Sequence, residues 1–177
     1  MKYRRLGRTE ENVSVVGLGT WQFGGEWGHD FTQDEVDAII DAAREAGINL
    51  IDTAECYGDH LSEELIGRAI EKDRDGWFVA TKFGHIFNGF LERDRDFSPQ
   101  GLLDQLDASL AALRTDYVDL LQFHSAWDTE FDNPALGELL RKLKEQGRIR
   151  HFGLSISPNT NSYQTGRAAE IGAETIQ

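Results

Sequence analysis

From residue 15 onward the chain repeats one pattern: an apolar run, a polar loop, an amphipathic helix and a tight turn. The apolar runs are VVGLGT (15–20), INLIDT (48–53), WFVATK (77–82), YVDLLQFH (117–124), IRHFGLSI (149–156) and AETIQ (173–177). They are mostly continuous rather than alternating, which is the pattern of strands covered on both faces. Thr32 and Glu35 form a capping-box pair for a helix from Thr32 to Ala46, and Gly47 sits at its expected stop. Ser62 opens a second helix with Glu63 and Glu64 in its first turn. Ser98 and Pro99 start a third, whose Leu102, Leu103, Leu106, Leu110 and Leu113 recur at helical spacing and should face the core. Asn133 and Pro134 start a fourth, ended by Gly147, and a fifth spans 160–171. Ahead of the repeat, residues 2–16 form two short strands around a polar turn.

Strand–helix alternation means a parallel sheet with right-handed crossovers. An open doubly wound sheet that binds a dinucleotide usually carries G-x-G-x-x-G after its first strand. Here the turn is GLGTWQ, with Gln22 at the third glycine position. The expected fold is therefore α/β, a (β/α)8 TIM barrel, with an N-terminal β-hairpin over 1–16 and strands one to six over 17–177. Only six strands and five helices are counted, whereas a full barrel takes roughly 250 residues. Six strands leave two parallel edges unpaired. The expectation is a truncated barrel domain, or one that self-associates through its open edges or pairs with another chain.

Composition narrows the class. The formal net charge of −13 argues against a nucleic-acid partner, which calls for a basic face. No apolar run approaches the roughly 18–20 residues of a spanning helix, and the basic N-terminus lacks the apolar stretch of a signal peptide. With a single cysteine, Cys56, neither an internal disulfide nor a cysteine metal cluster can form. Together these favour the cytoplasm, with no membrane partner.

In a barrel, catalytic groups sit at the carboxyl ends of the strands. Those ends carry Asp52, Lys82 and His124 on strands two, three and four, with Tyr57 in the loop past Asp52. Singly, each has a plain structural explanation: a turn former, a snorkelling lysine, a core histidine, an amphipathic loop residue. Adjacent strands lie about 5 Å apart, so three consecutive strand ends can share one small site.

LIDTAECYG, ATKFG and LLQFHS, in this order, resemble the three core motifs of the aldo-keto reductase family. MKYRRLGRTEENVSVVGLGTWQFGG resembles the start of its bacterial members. The resemblance implies NAD(P)H-dependent reduction of an aldehyde or ketone to an alcohol, with NADPH the usual donor and NADH the other. It implies a catalytic tetrad of Asp52, Tyr57, Lys82 and His124. No side chain donates hydride, so a nicotinamide supplies it. A free phenol near pKa 10 is a weak acid at neutral pH, and an ammonium at about 4 Å attracts the phenolate by about 4 kcal/mol. Lys82 alone could then, in principle, lower the Tyr57 pKa by up to about three. Asp52 would keep Lys82 charged and in place, and His124 would orient the substrate carbonyl.

The resemblance also implies that Gly19, Thr20, Trp21 and Asp52 line the cofactor, and that Ser155 and Gln177 hold the nicotinamide carboxamide. Ile156 or Ser157 stands where the family commonly has asparagine. Trp21, Phe23 and Trp127 could wall the substrate pocket or simply pack locally. His29, His60, His85 and His151 show no ligand spacing and are expected on the surface or in loops, with no metal bound. The family grips the cofactor's pyrophosphate with segments around strands seven and eight, so residues 1–177 alone are expected to be inactive. Two rivals remain: a nicotinamide-sensing regulatory subunit of the same fold, and an unrelated metal-dependent hydrolase barrel, which the scarcity of paired histidines and carboxylates at strand ends disfavours.

Overall fold

A computed structural model describes residues 1–156 and 162–177. Strands β1 (Tyr3–Arg5) and β2 (Asn12–Ser14) form the expected antiparallel hairpin. The repeat then runs β3 (Leu18–Gly19), α1 (Gln33–Glu45), β4 (Leu50–Asp52), α2 (Leu61–Ile70) and β5 (Phe78–Phe83). A small antiparallel excursion follows, β6 (His85–Phe87) with β7 (Arg93–Arg95), and then α3 (Pro99–Ala112) and β8 (Val118–His124). The chain continues through α4 (Asp128–Phe131), α5 (Pro134–Glu145), β9 (Ile149–Ser155), α6 (Ser162–Ile171) and β10 (Thr175–Ile176).

Six of these strands form one parallel sheet in the order β10-β9-β8-β5-β4-β3. Apart from the β6–β7 excursion, each strand lies beside its predecessor, as barrel winding requires. Strand side chains alternate between two faces. Val79, Phe83, Leu121, Phe123, Phe152 and Leu154 join the main core with Val36, Ile40, Leu102, Leu106, Leu136 and Leu140 from the helices. The other face carries a small cluster of Phe78, Ala80 and Leu120, closed by Val13 and Leu6 of the N-terminal segment. The hairpin therefore plugs the end of the sheet opposite to the strands' carboxyl ends.

Helix starts follow the expected caps. Thr32 and Glu35 complete a capping box, Ser98 Oγ accepts from Gly101 N–H at 2.9 Å, and Asn133 accepts from Ala135 N–H at 3.1 Å. Ser62 is the exception: α2 begins a residue earlier, and its cap is His60 in a left-handed conformation. The Ser62 hydroxyl is buried instead, 2.9 Å from Thr20 O and 3.0 Å from Thr53 Oγ1, tying the loops after β3 and β4 together.

The first strand is shorter than its apolar run, because Val15 and Val16 are exposed and Ser14 Oγ turns back to donate to Val16 O. Among the described residues a short α4 adds a helix to the expected five, and α6 covers Ser162–Ile171 of the expected 160–171 span. The β6–β7 hairpin was not expected from the sequence. Gly84 starts it at φ 117°, and a Cβ there would lie 2.1 Å from the Phe97 ring.

Candidate active site

The sheet register sets Asp52 beside Gly19 and Ala80, Lys82 beside Gln122, and His124 beside Ser155. With alternation, Asp52, Lys82, Gln122, His124 and Ser155 fall on the inner face at the carboxyl ends of their strands. Lys82 is buried, and its Nζ donates to Asp52 Oδ1 at 3.0 Å and to Thr53 O at 2.7 Å. A third contact, at 3.4 Å, reaches the Tyr57 hydroxyl. The Tyr57 ring lies 5.2 Å from the same ammonium, stacks on Trp21 at 5.9 Å, and meets the His124 ring edge-on at 6.1 Å. All four tetrad residues are therefore brought together beside a cleft of about 180 Å³ lined by Trp21, Tyr57, His85, Leu91, Arg93 and His124.

Burial alters the electrostatics expected from sequence. Burial is the largest influence on Tyr57 and raises its pKa; Lys82 pulls it down and Asp52 raises it again, so the phenol ends above its usual value. The expectation that Lys82 alone lowers this pKa is thus corrected, because desolvation of the phenolate outweighs the attraction. Burial works against the Lys82 charge too, but Asp52 and Tyr57 more than offset it and hold the ammonium above its usual pKa.

Tyr57 is held by close backbone packing. A Cβ on Gly24 would lie 2.6 Å from the Tyr57 carbonyl carbon, and Gly58 (φ 65°) touches Gly24 O in the same way. Gly24→Ala is therefore expected to push the Tyr57 loop outward and lower stability by about 1–3 kcal/mol, the usual cost of overpacking. Denaturant unfolding and the fluorescence of the stacked Trp21 would read both effects.

Sequence reasoning did not assign Gln122, Leu91 or Arg93 to the site, nor its two most closely coupled members, Glu55 and His85. Glu55 is buried, with its carboxylate oxygens 3.2 and 3.3 Å from His124 Nδ1 and 2.8 Å from the His85 N–H. Burial opposes its charge, but His124 and the His85 N–H outweigh it, leaving the carboxyl below its usual pKa. His85, expected on the surface or in a loop, stacks on His124 at 4.4 Å and accepts from Arg95 at 3.2 Å. Burial, then the neighbouring His124 charge, pushes its pKa down to about 4. Burial likewise pushes the Cys56 thiol up to about 12, with Glu55 adding to it.

His85 makes acid stability testable. Its folded pKa lies below the unfolded value of 6.5, so below about pH 6.5 the unfolded chain binds more protons and stability falls towards pH 4. His60 acts in the opposite sense: burial lowers its pKa, but Glu63 more than offsets this and raises it, so its stabilisation is present below 6.5 and lost as pH rises through the folded value. Comparing wild type with His85→Asn isolates the first effect, and the variant should lose less stability between pH 6.5 and 4 in urea titrations.

The remaining expected site residues divide. Trp21 is 39% exposed and lines the cleft, and Gly19 sits in register with Asp52. Thr20 is buried and its hydroxyl donates to Asp52 O, so it braces the site rather than lining it. Phe23, 4% exposed, turns away into the main core against Phe31, which removes it from the substrate wall. Trp127 is 63% exposed under the Arg95 guanidinium and is not among the residues lining the cleft. Gln177 donates to Asp52 Oδ2 at 3.1 Å and accepts from Gln122 at 3.2 Å, while Ser155 stands next to His124 in register. Ile156 is partly buried against the core, and Ser157 lies outside the described residues. Among the described residues no helix is long and apolar enough to cross a membrane.

The site is thus a buried lysine held between a carboxylate and a phenol at the carboxyl end of a curled, six-stranded parallel half-barrel. The family model described as the aldo/keto reductase family matches residues 15–177, and the chain belongs to that family. It is 35% identical over 161 residues to the uncharacterized oxidoreductase YqkF of Bacillus subtilis, covering 90% of this chain and 50% of the relative. It is 36% identical over 168 residues to the NADH-specific methylglyoxal reductase of Escherichia coli, covering 86% and 51%. Among solved structures, the aldo-keto reductase AKR11C1 from Bacillus halodurans in its holo form superposes with TM-score 0.86 at 30% identity, over 99% of this chain and 56% of that one. The chain spans about half the length of the curated relatives it matches.

Proposed function

We propose that this chain carries the catalytic half of an enzyme that reduces a small aldehyde or ketone to an alcohol. The carrying observation is the bridging of the Asp52 carboxylate and the Tyr57 phenol by Lys82 Nζ, beside the His124 ring. Lys82 holds the Tyr57 oxygen in place and stabilises negative charge as its proton leaves. Tyr57, kept protonated at neutral pH by burial, donates that proton to the carbonyl oxygen. Asp52 fixes the ammonium, and His124 orients the same oxygen.

The donor set fits a nicotinamide. Gln177 bonds Asp52, Gln122 bonds Gln177, and Ser155 stands beside His124 at the strand ends, so these residues offer both donors and acceptors to a carboxamide. When bound, the nicotinamide dinucleotide supplies the hydride. On this reading residues 1–16 are the hairpin and 17–177 the six strands of one barrel domain. The assay uses the protein as its native gene encodes it.

NADPH, the donor implied by the motif resemblance, is proposed, with NADH as the comparison arm because the Escherichia coli relative is named as specific for it. That relative's name also makes methylglyoxal a sensible first substrate. Aldehyde-dependent oxidation of NADPH or NADH, followed by absorbance, is the expected result; no oxidation with any of a panel of aldehydes and ketones would end the proposal.

A further inference from the structure

Glu55 is a buried carboxylate that the reaction as described does not use. It lies in the short loop between Asp52 and Tyr57, where its own carbonyl accepts from His60 N–H at 2.9 Å. Both of its carboxylate oxygens face one atom, His124 Nδ1, at 3.2 and 3.3 Å. One of them also accepts the His85 N–H at 2.8 Å, and the His85 ring stacks on His124 with an interplanar angle of 24°. The His124 ring is thereby gripped at its Nδ1 edge and on one face.

An ionised carboxylate has acceptors only. The nitrogen facing it must therefore carry hydrogen, and Nδ1 donates. We propose that Glu55 is a positioning residue for His124: it fixes the Nδ1–H form of the ring and assigns Nε2 to the reacting oxygen. This rests on the reductase reading of the site. The consequence is chemical. With both nitrogens protonated, Nε2 donates to a carbonyl oxygen; with Nδ1 alone protonated, Nε2 accepts from the hydroxyl of the alcohol. In either protonation state Nε2 is the nitrogen that meets the reacting oxygen, while Tyr57 supplies the one proton the reduction consumes and His124 keeps its own, and Glu55 forbids the tautomer in which Nε2–H pairs with a bare Nδ1. The charged and titratable groups around the ring are Glu55, Cys56 and Tyr57 from the loop after β4, His85 from β6 and Arg93 from β7.

The test reads the ring directly. In the wild-type protein labelled with ¹⁵N-histidine, long-range ¹H–¹⁵N correlation spectra should show His124 Nδ1 protonated throughout a titration. Glu55→Gln, nearly the same shape, can offer either an oxygen or an NH₂ to Nδ1, so the Nε2–H tautomer should appear. In the turning-over enzyme the same variant should lower kcat by about 10²-fold with little change in nicotinamide affinity. An Nε2–H tautomer in the wild type would overturn the proposal, and the wild-type spectrum decides this even if the variant fails to fold. An unchanged tautomer in folded Glu55→Gln would also overturn it. Protonated Nδ1 in a protein that reduces no carbonyl would uphold the positioning and remove only the reductase reading.

Discussion

Tyr57→Phe is expected to lower carbonyl reduction by about 10³-fold, within the usual range for loss of a positioned general acid. The substitution removes one oxygen and leaves the ring where it is. The phenylalanine would still stack on Trp21, and Lys82 would still lie over its face, so the shape of the cleft and nicotinamide affinity should change little. What disappears is the proton that the developing alkoxide needs. Burial holds the Tyr57 phenol above its usual pKa, and Lys82 is held above its own, so both groups keep their protons through the neutral range. The rate of reduction should accordingly show no loss from Tyr57 ionisation until alkaline pH. Steady-state kinetics on the purified variant, with cofactor binding measured by fluorescence, check both halves. Turnover within threefold of wild type would remove Tyr57 from the role of acid.

Much of this site was legible because a strand end is a one-dimensional signal. Asp52, Lys82 and His124 each close an apolar run, and the parallel register then carries them to one face. Tyr57 was legible only through the motif around it, since nothing in a loop's composition shows which way its aromatic ring turns. Phe23 illustrates the converse: two residues from Trp21, it lies within the same tight 3₁₀ turn, which sends it into the core. His85 and Glu55 were hidden for different reasons. The His85 contact with His124 depends on the β6–β7 hairpin, whose charged, aromatic sequence has no apolar run to announce it, and Glu55 turns towards His124 from the loop after β4, where composition does not show side-chain direction. The sign of the Tyr57 shift was hidden as well, because a pair of opposite charges can be read from sequence but the desolvation opposing them cannot.

Asp119→Ala is expected to cost about 3–5 kcal/mol, the range for removing one partner of a buried ion pair. Asp119 is 1% exposed, on the helix-facing side of β8 near its start. Its Oδ2 accepts from Arg74 at 2.8 Å and from Val79 N–H at 2.9 Å, and its Oδ1 accepts from Arg150 at 3.0 Å. These bonds clamp β8 to β5 on one side and to β9 on the other. Arg150 is half exposed, so the main loss comes from Arg74 and the Val79 N–H, which would be left buried without this acceptor. For a chain of this size the loss corresponds to a fall in Tm of roughly 10 °C. Asp119→Asn keeps an acceptor for Val79 and should recover part of it. Because the register that sets Lys82 beside Gln122 and His124 beside Ser155 runs through the same strands, a loosened clamp should also broaden the histidine resonances at the far end of β8. An alanine variant that unfolds within 1 kcal/mol of wild type would show that the sheet holds this register by its backbone ladder and apolar packing alone.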